Sequence, residues 1–168
     1  MKLKIVLLLL VAVLLIPPVN IQAKGNPFDF EHQIETMIKA HKAFMERLIK
    51  YIEQMKEDIN LLAEVIYWEN WWTDPEKEAA WLTGCVVLNR VNSEDWPNTI
   101  HDVLYQKGQY STTKYFFTKE LPQECYDMAV DLLKNGTGDV PAGVVFQATF
   151  SQGKLYKKIN GEYFCYGK

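Results

Sequence analysis

Between Ile34 and Leu62 apolar residues recur at alternating intervals of four and three, with no glycine or proline to interrupt them. Ile38, Met45, Ile52 and Ile59 form one set of this heptad seam, and His41, Leu48, Met55 and Leu62 form the other. Such spacing keeps one stripe on one side of a helix and is incompatible with a strand, whose side chains alternate with period two. Met37, Phe44 and Tyr51 widen the stripe on one flank, which suits packing against more than one neighbour. At a rise of ~1.5 Å per residue, a helix over residues 30–62 reaches about 45–50 Å. A small domain cannot cover a seam of that length. Two readings are open: a coiled-coil or partner-binding stalk, which the regular spacing favours, and an amphipathic helix folded along the domain's own surface. His41 is read as a tolerated seam position.

The seam runs directly into Leu61–Trp72, a mostly apolar run in which Glu69 lies among Tyr67, Trp68, Trp71 and Trp72. A carboxyl crowded by rings loses hydration, and lost hydration raises its pKa. A glutamate held protonated near neutral pH can hand its proton to a leaving oxygen. Alone, this stretch is read more simply as an aromatic core with an exposed Glu at a helix end. The residues beyond Trp72 reverse that preference.

Thr73 and Glu76 have capping-box spacing and Pro75 suits a first turn, so the next helix is expected over about residues 75–91. Its run Ala79–Leu88 is apolar nearly all round and marks the buried central helix. Trp96-Pro97-Asn98-Thr99 reads as a turn and cap, and 100–106 as a short helix. Gln109–Thr113 reads as an extended, polar-aromatic groove wall. Residues 121–134 form an amphipathic helix stopped at Asn135-Gly136. Strands are expected over 144–150, 155–159 and 162–166, with Asn160-Gly161 as a two-residue hairpin turn. The fold class is therefore α+β: a mainly helical domain with a small antiparallel sheet over residues 61–168, preceded by a long amphipathic helix over 24–60.

The chain opens as an export signal. Lys2 and Lys4 stand at the start of an apolar stretch that extends to Ile16, Pro17-Pro18 ends it, and Ile21-Gln22-Ala23 offers a cleavage site. The run is short for a bilayer span, so an uncleaved anchor is the lesser reading, and both place the working part outside the cytoplasmic membrane. Losing Lys2 and Lys4 with residues 1–23 takes the 18 basic residues to 16 against 21 acidic ones. An excess of five negative charges argues against nucleic acid, which is bound by neutralising phosphates. Cys85 sits in the apolar run and reads as a buried small hydrophobe, and Cys125 and Cys165 are left as a pair whose approach the sequence does not fix. His32, His41 and His101 are scattered and form no cluster with cysteine, so no metal or other cofactor is inferred and a zinc amidase is disfavoured. A cysteine peptidase would need an exposed thiol near His101, which Cys85 does not supply.

Val86-Val87-Leu88-Asn89-Arg90-Val91, then Trp96–Ile100, Val103–Gln106 and Gly108-Gln109-Tyr110-Ser111, form ordered blocks at matched spacing. Together they resemble the SleB/CwlJ-type cell-wall hydrolases, the spore-cortex-lytic enzyme family, over about residues 60–168. The resemblance implies a fold like that of lytic transglycosylases and goose-type lysozymes, and one catalytic glutamate following a Tyr-Ala pair. Tyr67-Trp68-Glu69 matches that position, so Glu69 inherits the role. Family members continue Ala-Arg-Gly-Glu, whereas this chain reads Asn70-Trp71-Trp72-Thr73-Asp74-Pro75, with about two extra residues and Asp74 as the nearest substitute for the second acid. Glu78 matches another family glutamate at the start of the buried helix.

The implied substrate is peptidoglycan, cut at the β-1,4 bond between N-acetylmuramic acid and N-acetylglucosamine. A two-carboxylate hydrolase needs a second acid placed for water or for attack. Glu64 is five residues from Glu69 and faces elsewhere on the helix, while Asp74, Glu76 and Glu78 belong to the next element. A single-acid route, in which Glu69 protonates the glycosidic oxygen and then takes the C6 hydroxyl proton, is preferred. It leaves a 1,6-anhydro end. Tyr105, Gln109, Tyr110 and Ser111 are implied as cleft residues, with Gln147, Tyr163, Phe164 and Tyr166 as further candidates. Asn89 and Arg90 are read as hydrogen bonders that fix the fold, and Trp71 and Trp72 as either sugar platform or core. Muramidase-type hydrolysis, or a non-catalytic peptidoglycan-binding module displayed on the stalk, are the alternatives.

Overall fold

The computed structural model describes residues 27–72 and 77–167. The expected export signal and the expected capping box at Thr73 and Glu76 lie outside the described residues, as does Asp74. The chain divides into two compact units, one up to Leu48 and the other from Ile49 onward. Helix α1 spans Pro27–Asn70 as one uninterrupted α-helix, so the seam and the Glu69 stretch share an element, as their continuity predicts. In the first unit the seam is open: Ile38 is 59% exposed, and among the described residues only Ile34, Ala43, Met45 and Leu48 are half-buried. None of the helices among the described residues is long and apolar enough to cross a membrane.

The second unit carries the core. Seven consecutive residues of α1, Leu61 to Tyr67, are buried there, which places this stretch against neighbours on every side. Helix α2, Glu78–Val91, is the central helix that its all-round apolarity predicts, with eleven of its 14 residues buried. Gly84 allows a close crossing, since a Cβ at that position would stand 2.4 Å from Leu132 and 3.3 Å from Ile66. Helix α3, Ile100–Tyr105, is capped by the Thr99 hydroxyl, which accepts from the Asp102 N–H. Helix α4 covers Gln123–Asn135 and ends at Gly136, with φ +75° and its N–H bonded to Leu132 O at 2.8 Å. Full burial of Leu104 and Leu132 supplies about 1.5–3 kcal/mol each.

Strands β1, Val144–Ala148, β2, Leu155–Ile159, and β3, Glu162–Tyr166, form an antiparallel sheet in the order β1-β3-β2. Asn160 and Gly161 both hold positive φ, 49° and 92°, as a type I′ hairpin turn requires. The first strand stops two residues before its expected end. The groove-wall expectation for Gln109–Thr113 is corrected more substantially: Ser111–Tyr115 is a 3-10 helix. Period-two polarity and a single tight turn look alike over five residues, and Ser-Thr-Thr hydroxyls favour local bonds such as Thr113 Oγ1 to Tyr110 O at 3.0 Å.

The sheet is tied to α2 by the side chains read as fold-fixing. Asn89 Nδ2 donates to Pro141 O at 2.9 Å and Val144 O at 3.0 Å, and Arg90 Nε donates to Val145 O at 2.7 Å. The Arg90 guanidinium also lies 4.1 Å from the centre of the Trp96 ring. Cys85, Cys125 and Cys165 are all buried free thiols. Burial pushes the first two up to about 12, so neither is poised as a nucleophile.

Candidate active site

Glu69 is the penultimate residue of α1, and three contacts fix that helix end. Asn70 Nδ2 donates to Thr83 Oγ1 at 2.8 Å, and Thr83 donates onward to Ala79 O at 2.9 Å. Lys77 Nζ donates to Trp71 O at 2.6 Å and lies 4.3 Å from the Trp71 ring centre, a cation over carbonyls left bare by the helix end. Trp71 is thereby buried and belongs to the core, whereas Trp72 is 70% exposed. The choice between sugar platform and core thus resolves differently for the two rings.

The 3-10 turn Ser111–Tyr115 lies against this helix end. Thr112 Oγ1 donates a short hydrogen bond to Glu69 Oε1, and Tyr115 stacks on Trp68 with ring centres 5.2 Å apart. Residues i and i+3 of a 3-10 helix eclipse one another, so a single turn meets Trp68 and Glu69 together. Glu69 is half-buried, and its carboxyl is raised above 4.5 by that burial, against the lowering effect of the Thr112 hydroxyl.

Glu64 is a second carboxylate on α1 and is only 2% exposed. Its Oε2 accepts from Trp68 Nε1 at 2.9 Å and its Oε1 from the Phe117 N–H at 3.0 Å. Phe117 holds φ +60°, a left-handed backbone that a bulky residue adopts only under constraint. Burial raises Glu64 too, and these two bonds oppose the rise. Sequence position alone assigns Glu64 no part in the site.

Glu162, at the start of β3, is also invisible to the sequence reading. Burial raises its carboxyl first, and the charge of Glu69 raises it further, so the two acids lie within electrostatic reach of each other. Nothing local marks it: its one signal is that it directly succeeds the Asn-Gly turn. Thr112 is likewise missed, though Ser111 and Gln109 beside it are not.

The remaining candidates are spread unevenly. Glu78 is exposed and ion-pairs with Lys157 on β2. Tyr105 is 46% exposed beside His101, ring centres 4.7 Å apart, and Gln109 and Ser111 are exposed. Tyr110 is buried, and burial pushes its phenol up to about 12, with Arg90 lowering it and Glu69 raising it. Its hydroxyl, Arg90 Nη1 and the half-buried Gln147 Oε1 are interior polar atoms without a hydrogen-bond partner. Tyr163 is half-buried on β3, and its hydroxyl accepts from Lys158 Nζ at 2.7 Å. Tyr166 is half-buried, edge-on to Tyr156 at 5.9 Å. Phe164 is fully buried, a core residue and not a groove wall: its strand turns that side chain inward.

The geometry thus offers one half-buried carboxyl with a single hydroxyl donor, a second acid within electrostatic reach, and an exposed aromatic rim. That is an acid/base site open to a polymer. A family model for the cell-wall hydrolases matches residues 74–161, more than half of the 168-residue chain. The chain belongs to this family. It is a cell-wall hydrolase, an enzyme acting on peptidoglycan. The match includes α2, the 3-10 turn and the sheet up to the hairpin turn, and begins five residues after Glu69. No curated protein and no solved structure matches the chain.

Proposed function

We propose that this hydrolase cuts the β-1,4 bond between N-acetylmuramic acid and N-acetylglucosamine, with Glu69 as acid and then base. The observation that carries the reading is the raised, half-buried Glu69 carboxyl at the helix end, held by one hydroxyl. In its protonated form it donates to the glycosidic oxygen. As carboxylate it then takes the proton of the muramic C6 hydroxyl, whose oxygen closes on C1 to give a 1,6-anhydro end. This lytic transglycosylation needs only one carboxyl.

Glu162 favours a second reading, hydrolysis. A two-carboxylate hydrolase needs a second acid to hold water, and Glu162 is an acid whose carboxyl feels the charge of Glu69. Mass spectrometry of soluble products from purified peptidoglycan separates the two. Anhydro-muropeptides from the wild type and none from Glu69→Gln support transglycosylation. Reducing ends that disappear with Glu162→Gln support hydrolysis. Binding without release by either protein would leave a non-catalytic binding module.

The same proposal takes residues 1–23 as an export signal, 24–60 as a stalk and 61–168 as the catalytic part, with action outside the cytoplasmic membrane. The open seam of α1 is proposed to take a partner helix or a second copy of the chain. Sedimentation of the protein with and without Ile38→Glu tests this, a fall in mass being expected.

A further inference from the structure

Beside the acid site stands an aromatic face that catalysis by Glu69 does not use. Trp72, Tyr115 and Phe117 are 70%, 45% and 60% exposed, an unusual run of open rings for one small surface. Lys119, itself exposed, puts its ammonium 5.1 Å from the Trp68 ring centre and 5.5 Å from that of Trp72. Glu64 builds this face from beneath: its two oxygens hold the Trp68 indole and the Phe117 backbone, and Trp68 in turn carries Tyr115. Rings held this way lose little freedom on binding.

We propose that this face is a subsite for the muramic-acid residue next to the scissile bond, the sugar stacking on Trp72 and a carboxylate of its lactyl or peptide substituent meeting Lys119. The proposal deepens the glycan-cleaving reading and rests on it. Two observations select this occupant. The face is continuous with the acid site, because one 3-10 turn supplies Thr112 to Glu69 and Tyr115 to Trp68. Flat apolar rings with a cation beside them suit a sugar that carries an anion, and a neutral sugar would make no use of the ammonium.

The test measures binding in a Glu69→Gln background, so that turnover plays no part. Three ligands are compared by cosedimentation or titration: whole peptidoglycan, glycan strands stripped of peptide by an amidase, and chitin oligosaccharide, which has no carboxylate. Adding Trp72→Ala is expected to weaken all three about tenfold. Adding Lys119→Met, which keeps the alkyl stem over the rings, is expected to weaken only the muramic-containing ligands, and to do so less as salt rises. Loss on whole peptidoglycan alone identifies the peptide carboxylates, and loss on stripped strands identifies the lactyl group. Unchanged affinity in both variants would overturn the subsite, as would an equal loss on chitin with Lys119→Met. Trp72→Phe, which keeps a stacking face, should restore most of the binding and guards against a folding defect. If the Glu69→Gln protein binds no glycan and the wild type releases none, the glycan-cleaving reading itself has failed.

Discussion

Glu64 and Glu69 are five residues apart on one helix, and both carboxyls are raised by burial, yet their surroundings differ in kind. Glu64 is closed off, with each oxygen accepting one N–H from a different segment. Glu69 is half-buried, with one hydroxyl donating to one of its oxygens. A rotation of about 100° per residue along the helix is enough to separate them. A buried carboxylate with both oxygens engaged holds structure together. One with an oxygen to spare can exchange a proton with a substrate. Raised pKa values alone do not distinguish the two; the count of donors does.

The contrast breaks most visibly if Glu69 is neutralised. Glu69→Gln should lower glycan cleavage about 10²–10⁴-fold, the usual worth of a general acid, in a product-release assay. Glu64→Gln should act mainly on stability. An amide has one acceptor where the carboxylate has two, so its NH2 must face either the Trp68 indole N–H or the Phe117 N–H. Leaving one buried donor unmet costs about 1–3 kcal/mol, measurable by urea unfolding. A Glu64→Gln protein as stable as the wild type, or a Glu69→Gln protein as active, would erase the division of labour.

Much of the fold is written in periodicities that need no context. The uninterrupted four-three spacing of α1, the all-round apolarity of α2 and the Asn160-Gly161 turn each admit one local structure. The site is only partly so written. Glu69 stands out because four rings surround it within six residues. Thr112 and Glu162 reach it only through the fold, from segments whose own sequences have no reason to mention it. Trp71 and Trp72 look alike in the sequence, since it is a lysine six residues beyond Trp71 that covers one ring and leaves the other exposed. The 3-10 turn is illegible for want of length: five residues hold too little periodicity to separate a wall from a turn.

Thr112 offers a smaller, sharper test. Its hydroxyl stabilises the ionised form of Glu69, so Thr112→Val should raise the Glu69 pKa further. If the protonated acid is the active form, the basic limb of the pH–rate profile, already above the ordinary 4.5, should move to still higher pH. A drop in rate of about tenfold is expected alongside it, from one lost positioning bond to a charged group. A limb that stays in place would mean that the hydroxyl does not govern this proton.

The smallest effect is on stability, and its sign comes from linkage. A glutamate whose folded pKa exceeds its unfolded value binds more protons when folded, so stability falls as pH rises from about 4.5 through the folded pKa. Above that value the ionised, half-buried carboxylate is a standing penalty. Glu69→Gln removes the penalty and lets the amide oxygen go on accepting from Thr112. Its melting temperature should therefore exceed that of the wild type at neutral pH and converge with it near about pH 4. Glu64 is raised too, so the same linkage applies to it, but Glu64→Gln also leaves one of two buried N–H donors unmet, and that loss outweighs the gain. A gain in melting temperature at neutral pH that vanishes near about pH 4 for the first variant, and a lowered melting temperature for the second, would express in stability the same distinction that the donors draw in the structure.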